Sequence, residues 1–217
     1  NLSGQKKIKD LSKKYSLRVN SLTADCFMQN PFWKTTGSIK EKLENDFIHL
    51  LDCASILGIN LIVLPLVDNG SVKNKYQKDY LISFFSNISA YLKKQNTKIA
   101  FESDYTPQEL MKFIMKFDTS IIGVNYDTGN SASLGYEPKQ EIEIYGNHIF
   151  NVHIKDRFLG GQTTDLGDGN ANFKIIFEEL DKKNYKGNYI LQVARDKNND
   201  HENMLIKSVN FLNKYIN

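Results

Sequence analysis

The chain has 217 residues, 41% hydrophobic and 24% charged, an ordinary globular composition with apolar material for one substantial core. Its net charge of +3 is spread as lysines along helical faces (Lys6, Lys7, Lys9, Lys13, Lys14; Lys93, Lys94; Lys182, Lys183), which argues against a nucleic-acid track. Two cysteines without a CxxC pair fit a reducing cytosol and a cytoplasmic location, and no apolar run reaches the ~20 residues that span a bilayer.

A helix is expected over 3–15, before a first strand at 16–24 (SLRVNSLTA). The next helix, Ile39–Leu57, places Leu43, Phe47, Leu50, Leu51, Ala54 and Leu57 on one face. A strand at 59–67 (INLIVLPLV) follows, then a helix at 79–92 and a strand at 98–103 (KIAFES). Thr106-Pro107 opens a helix through Phe117, with Thr106 as N-cap and Pro107 in the first turn. Strands at 121–127 (IIGVNYD), 149–155 (IFNVHIK) and 188–194 (NYILQVA) are separated by helices at 138–145 and 172–183, and a last helix spans 201–215. The strands are nearly continuous apolar runs, as in a parallel sheet covered on both faces.

The alternation is α followed by six βα units, with no linker or low-complexity segment, so residues 1–217 read as one α/β domain. A doubly wound sheet would usually carry a Gly-rich loop after its first strand, and TADCFMQNP is not one. A TIM-type (β/α)8 barrel gathers polar residues at the C-terminal ends of many strands, which is the pattern here. Six units fall two short of eight. With Asn1 in place of Met, the expectation is a processed, trimmed or partial chain whose two leading units are missing. Either upstream residues or an intermolecular contact, a homo-oligomer included, is then expected to cover the open edges.

The strand ends carry Asp25; Asp68 with Asn69; Glu102 with Asp104; Asp127 with Asn130; His153 with Lys155, Asp156 and Arg157; and Gln192 with Arg195. Singly, each has a plain structural explanation: Asp25, Asp104 and Asp156 read first as helix caps or turn residues, and a lone strand histidine as a satisfied core residue. Together, a Glu, an Asp, a His and a Gln closing four consecutive strands suit a divalent metal such as Mn²⁺, Mg²⁺, Co²⁺ or Zn²⁺. Lys155, Arg157 and Arg195 could grip a phosphate or pair with Asp156 and Asp196 as rim salt bridges. The Gly-rich loop LGGQTTDLGDGNANF (159–173) could cradle an anion with its N–H groups or act as a lid. Phe27, Phe32, Trp33 and Tyr126 could wall a sugar or simply pack in the core. His49, His148 and His201 are assigned no role.

The segments YDTGNSASLGYEP, NVHIKDR, LGDGNANF and NYILQVAR, with VLPLVDN and IAFESD upstream, resemble the sugar phosphate isomerase/epimerase group of the xylose-isomerase-like TIM barrels. The resemblance covers most of the chain and is strongest over 98–195. It implies a divalent metal held by Glu102, Asp127 and His153, with Gln192 where a second Glu would fall. It also implies an isomerase or epimerase acting on a small-molecule sugar or sugar phosphate, through proton abstraction by Glu102 and an enediolate. Asn130, Lys155, Arg157, Arg195 and Asp68 are then the substrate-binding candidates. Gln192 cannot shuttle protons, so one-base isomerisation is the safer chemical reading. A non-catalytic sugar-binding relative is the first alternative. An endonuclease-IV-like phosphodiesterase stands behind it, since four histidines poorly supply a trinuclear site, Asn130 stands where that enzyme would have a His, and the LGDG loop has no His.

Overall fold

The structure, a computed structural model, describes residues 2–196 and 198–216; Asn1, Lys197 and Asn217 lie outside them. The chain forms two compact units, one of residues 1–103 and 114–123, the other of 104–113 and 124–217. No helix among the described residues is long and apolar enough to cross a membrane.

In the first unit, α1 (Leu2–Lys14) buries no side chain. Three parallel strands lie side by side: β1 (Ser21–Thr23), β2 (Leu61–Leu66) and β3 (Lys98–Ser103). The connections carry α2 (Asp25–Gln29), α3 (Gly37–Ile56), α4 (Lys75–Asn87) and α5 (Ser89–Lys94). All six residues of β2 are buried, as its unbroken apolar run requires. Side chains alternate between faces, so Phe101 and Leu64 point one way and Glu102 and Pro65 the other. Phe101 meets Phe85 of α4 and Phe117 at centroid distances of 5.2 and 5.5 Å. The helices therefore cover the Phe101 face, and Glu102 turns away from them. The N–H of Ile99 donates to the carbonyl of Ile121 at 2.8 Å.

Phe27, Phe32, Phe47 and Phe84 form one aromatic cluster, with centroids 4.9–5.9 Å apart and mostly edge-to-face or tilted rings. Trp33 joins it through Phe32 and donates its indole N–H to Gly70 O at 3.0 Å. Phe32 and Trp33 are fully buried, so these rings pack in the core between the strands and α3 and α4.

In the second unit, β4 (Ile122–Asp127) leads directly into α7 (Thr128–Leu134); α6 (Pro107–Ile114) precedes both. Thr106 and Glu109 close α6 reciprocally: Thr106 N–H and hydroxyl donate to Glu109 Oε2, and Glu109 N–H donates to Thr106 Oγ1. After α8 (Pro138–Tyr145), β5 (Ile149–Ile154) pairs parallel with β4 and with β8 (Asn188–Leu191). Between β5 and β8 lie a short antiparallel ribbon, β6 (Asp156–Arg157) with β7 (Thr163–Thr164), and α9 (Phe173–Lys182); α10 (His201–Leu212) closes the unit.

Several boundaries differ from expectation. β1 keeps only three residues of the predicted 16–24, because residues 17–20 are exposed. The predicted 79–92 helix starts earlier, at Lys75, and breaks at Ile88 into α4 and α5. β8 ends at Leu191, not 194, and α6 at Ile114, not Phe117.

Candidate functional site

The pairing of β4 with β5 contains a one-residue irregularity. Val124 partners Ile149, but Asn125 partners Asn151, so Phe150 is the extra residue. A slip of one residue exchanges faces. The irregularity is therefore what puts Asn125 beside Asn151 and Asp127 beside His153, all on the face opposite Tyr126 and Val152. Tyr126 donates its hydroxyl to Glu141 of α8, so the Tyr126 face is the helix-covered one. Asp127 (4% exposed) and His153 (2% exposed) share the other, with Asp127 Oδ2 3.9 Å from His153 Nδ1.

Asp127 Oδ1 accepts from the N–H groups of Gly129 (3.0 Å) and Asn130 (2.8 Å), making Asp127 the N-cap of α7. The segment TGNS is thus the first turn of α7. The other carboxylate oxygen faces Lys155 Nζ at 3.1 Å. Two backbone donors and one ammonium group thus fix the two carboxylate oxygens in place. Lys155 also shares a reciprocal bond pair with Thr128, donating its N–H to Oγ1 at 3.0 Å while its carbonyl accepts from that hydroxyl at 2.6 Å.

Gly129 makes this packing possible. A Cβ there would lie 2.6–2.9 Å from the Lys155 side-chain carbons. Gly129→Ala is expected to push the Lys155 stem away from Asp127 and destabilise the protein by roughly 1–3 kcal/mol. The midpoint of a urea titration checks it; an unchanged midpoint would show that Lys155 repacks freely.

Arg157 donates through Nε and Nη2 to Gly161 O (3.1 and 2.8 Å) and through Nη1 to Asn130 Oδ1 (2.9 Å). It therefore pins its own loop to α7; the salt bridge to Asp156 weighed from the sequence is not its bond. Asp156, fully buried, accepts four backbone N–H groups: Arg157 and Ala171 on Oδ1, Gly167 and Gly169 on Oδ2, all at 2.9–3.0 Å. The anion cradled by the Gly-rich loop is Asp156 itself. Gly169 cannot carry a side chain, because its Cβ would meet Asp156 Oδ1 at 2.2 Å. Asp25 is not a cap either: Ala24 holds that position and Asp25 is exposed in the first turn of α2.

Gln192 follows β8, its N–H donating to Ile154 O at 2.9 Å. Ile190 partners His153, so Gln192, two residues on, lies on the same face. Its Oε1 is buried with no hydrogen-bond partner among the described residues. Arg195 is exposed, and Asp196 is engaged by the N–H groups of Asn198 and Asp200. In the first unit, Glu102 is 5% exposed near the end of β3. Asp68 stands exposed in the turn after β2, at φ +49°.

In the second unit, polar residues thus close β4 and β5 and follow β8 on the face away from its helices; in the first, Glu102 lies near the end of β3 on the face away from its own helices. A family model, the xylose isomerase-like TIM barrel, matches residues 2–215. The chain belongs to the xylose isomerase-like TIM barrel family. In such barrels functional groups sit at the C-terminal ends of strands, where Glu102, Asp127, His153 and Gln192 are found. An inosose dehydratase of Clostridium perfringens is 23% identical over 192 residues, covering 72% of this chain. The match spans 65% of that relative's length, less than two thirds of it. A xylose isomerase domain protein from Planctomyces limnophilus shares the fold at a TM-score of 0.82 and 14% identity, over 99% of this chain and 83% of its own. An IolI protein crystallised with a zinc atom aligns at a TM-score of 0.75 and 16% identity, over 96% and 82%.

Proposed function

We propose that the chain is the catalytic barrel of a metal-dependent, sugar-modifying enzyme, an isomerase or epimerase that removes a proton next to a carbonyl. The observation that carries this reading is the shifted β4–β5 register, which buries an acid beside an imidazole on the strand face that the helices leave to the site.

The donors suit a divalent ion: carboxylates from Glu102 and Asp127, the imidazole of His153 and the amide oxygen of Gln192. A buried amide oxygen without a donor is costly unless something binds it, and a cation at Gln192 Oε1 would remove that cost. When bound, a divalent ion supplies polarisation of a substrate carbonyl and so acidifies the adjacent C–H. The zinc in the IolI relative is in keeping with such a site.

Glu102 is the proposed base that takes the proton. Asp127, fixed by two backbone N–H groups, keeps its second oxygen turned to the site, and Lys155 balances its charge. Asn130, held from behind by Arg157, is the proposed contact for substrate hydroxyls. Lys155, Arg157, Arg195 and Asp68 are the other substrate candidates. The first two are committed to protein partners, which favours contacts to uncharged hydroxyls over a bidentate phosphate clamp.

Gln192 favours a second outcome for the same first step. With an amide in place of a second carboxylate, return of the proton to the opposite face lacks its usual donor. Loss of the hydroxyl on the neighbouring carbon as water, which takes up the proton removed by Glu102, needs no return to the opposite face, and the inosose dehydratase relatives bear a name consistent with it.

The test is incubation with Mn²⁺ in deuterated water against ketoses, ketose phosphates and cyclic keto-polyols. Label at the carbon beside the carbonyl is expected. A ketose–aldose pair marks isomerisation, an inverted centre epimerisation, and a mass loss of one water dehydration. Metal binding without label in any substrate would leave only a sugar-binding barrel.

A further inference from the structure

The geometry points to Glu141 as a positioning residue for Asp127. Glu141 lies on α8, 3% exposed, and accepts three hydroxyl hydrogen bonds. Tyr126 donates to Oε2 at 3.2 Å, Ser131 donates to the same oxygen, and Tyr145 donates to Oε1 at 2.7 Å. Burial pushes the Glu141 carboxyl above its usual range while the three hydroxyls pull it back.

Two of those donors bracket Asp127. Tyr126 is the residue before it on β4, and Ser131 is four residues after it on α7. No loop residue separates strand from helix, so Asp127 alone makes the turn, and one carboxylate grips the chain on both sides of that turn from the helix face. Tyr145 belongs to the same helix as Glu141, one turn on, and ties the carboxylate only to its own helix. An apolar residue of similar volume would fill the space without direction. Three directed bonds instead hold β4 and α7 in one orientation, and through them the Asp127 oxygens. The functional importance of that orientation rests on the metal reading above; the positioning itself does not.

Removing Glu141 would strand three buried hydroxyls and risk the fold, so the test removes donors singly: Tyr126→Phe, Ser131→Ala and Tyr145→Phe. Each deletes one bond to the same carboxylate. Amide hydrogen exchange at Gly129 and Asn130, the two N–H groups capped by Asp127, is measured by NMR, with β5 amides as reference. Tyr126→Phe and Ser131→Ala are expected to speed exchange at those two amides by about tenfold more than at the reference amides. Tyr145→Phe is expected to leave that ratio unchanged. Equal loosening in all three variants, or none at Gly129 and Asn130 in any, overturns the assignment. Calorimetric Mn²⁺ titration of the same proteins is expected to show weakening in the first two variants only. If the wild type binds no Mn²⁺, the metal reading fails while the exchange ratios still decide the role of Glu141.

Discussion

Replacing Glu102 by Gln is expected to lower deuterium uptake into the responsive substrate by about 10²–10⁴-fold, the usual range for loss of a positioned base. The substitution conserves shape at a site with little room, since Glu102 is 5% exposed and its neighbours Phe101 and Pro65 are buried in the packed first unit. What changes is chemistry: an amide cannot take a proton at neutral pH, but its oxygen can still offer a lone pair to a cation. The signature is therefore a split. Exchange collapses, while Mn²⁺ affinity measured by calorimetry falls far less, by about one decade. The melting temperature is expected to stay within a few degrees of wild type. A variant that keeps more than a tenth of wild-type label uptake would move the base to another residue, with Asp104 next in line because it follows β3 directly.

Much of this site was legible in the sequence because strand ends are. The runs INLIVLPLV, KIAFES and IIGVNYD each end in a polar residue or run directly into one (Asp68, Ser103, Asp127), and burial on both faces makes β2, β3 and β4 readable to within about two residues. The facing of the side chains was not legible. Whether Asp127 and His153 share a face depends on one surplus residue, Phe150, and IFNVHI reads the same with or without an irregularity at that point. The helix after Asp127 was missed because TGNS has turn chemistry. Its N-terminus is set by the Asp127 side chain, whereas the sequence suggests caps or turns first at Asp25, Asp104 and Asp156. The aromatic residues after β1 were ambiguous from sequence, and α3 and α4 decide it by supplying Phe47 and Phe84. The role of Asp156 could not be read locally, because three of its four donors lie 11–15 residues downstream.

That last arrangement makes Asp156→Ala the substitution with the largest expected effect on stability. A buried carboxylate that accepts four N–H groups is compensated without any cation, much as an anion is held in a backbone nest. Removing it strands donors that shaped the loop around a negative charge. Part of the loss is recovered when the loop opens to water, so the net cost is about 2–4 kcal/mol, not the sum of four bonds. For a chain of this length that corresponds to a fall in Tm on the order of 10 °C. Asp156→Asn should recover little. Its single oxygen can serve one pair of donors, while its NH₂ is turned toward the other pair. Gly169→Ala attacks the same contact from the loop side, where the added carbon meets Asp156 Oδ1 at 2.2 Å. Limited proteolysis is expected to cut all three variants faster within 158–171, and earlier than the helices. An unchanged cleavage pattern with Tm within about 2 °C of wild type would mean that Arg157, through Gly161, holds the loop by itself. If the carboxylate does hold it, Lys155 and Arg157 on either side of Asp156 are fixed by the same act. The loop then sets which cations remain near Asp127 and Asn130.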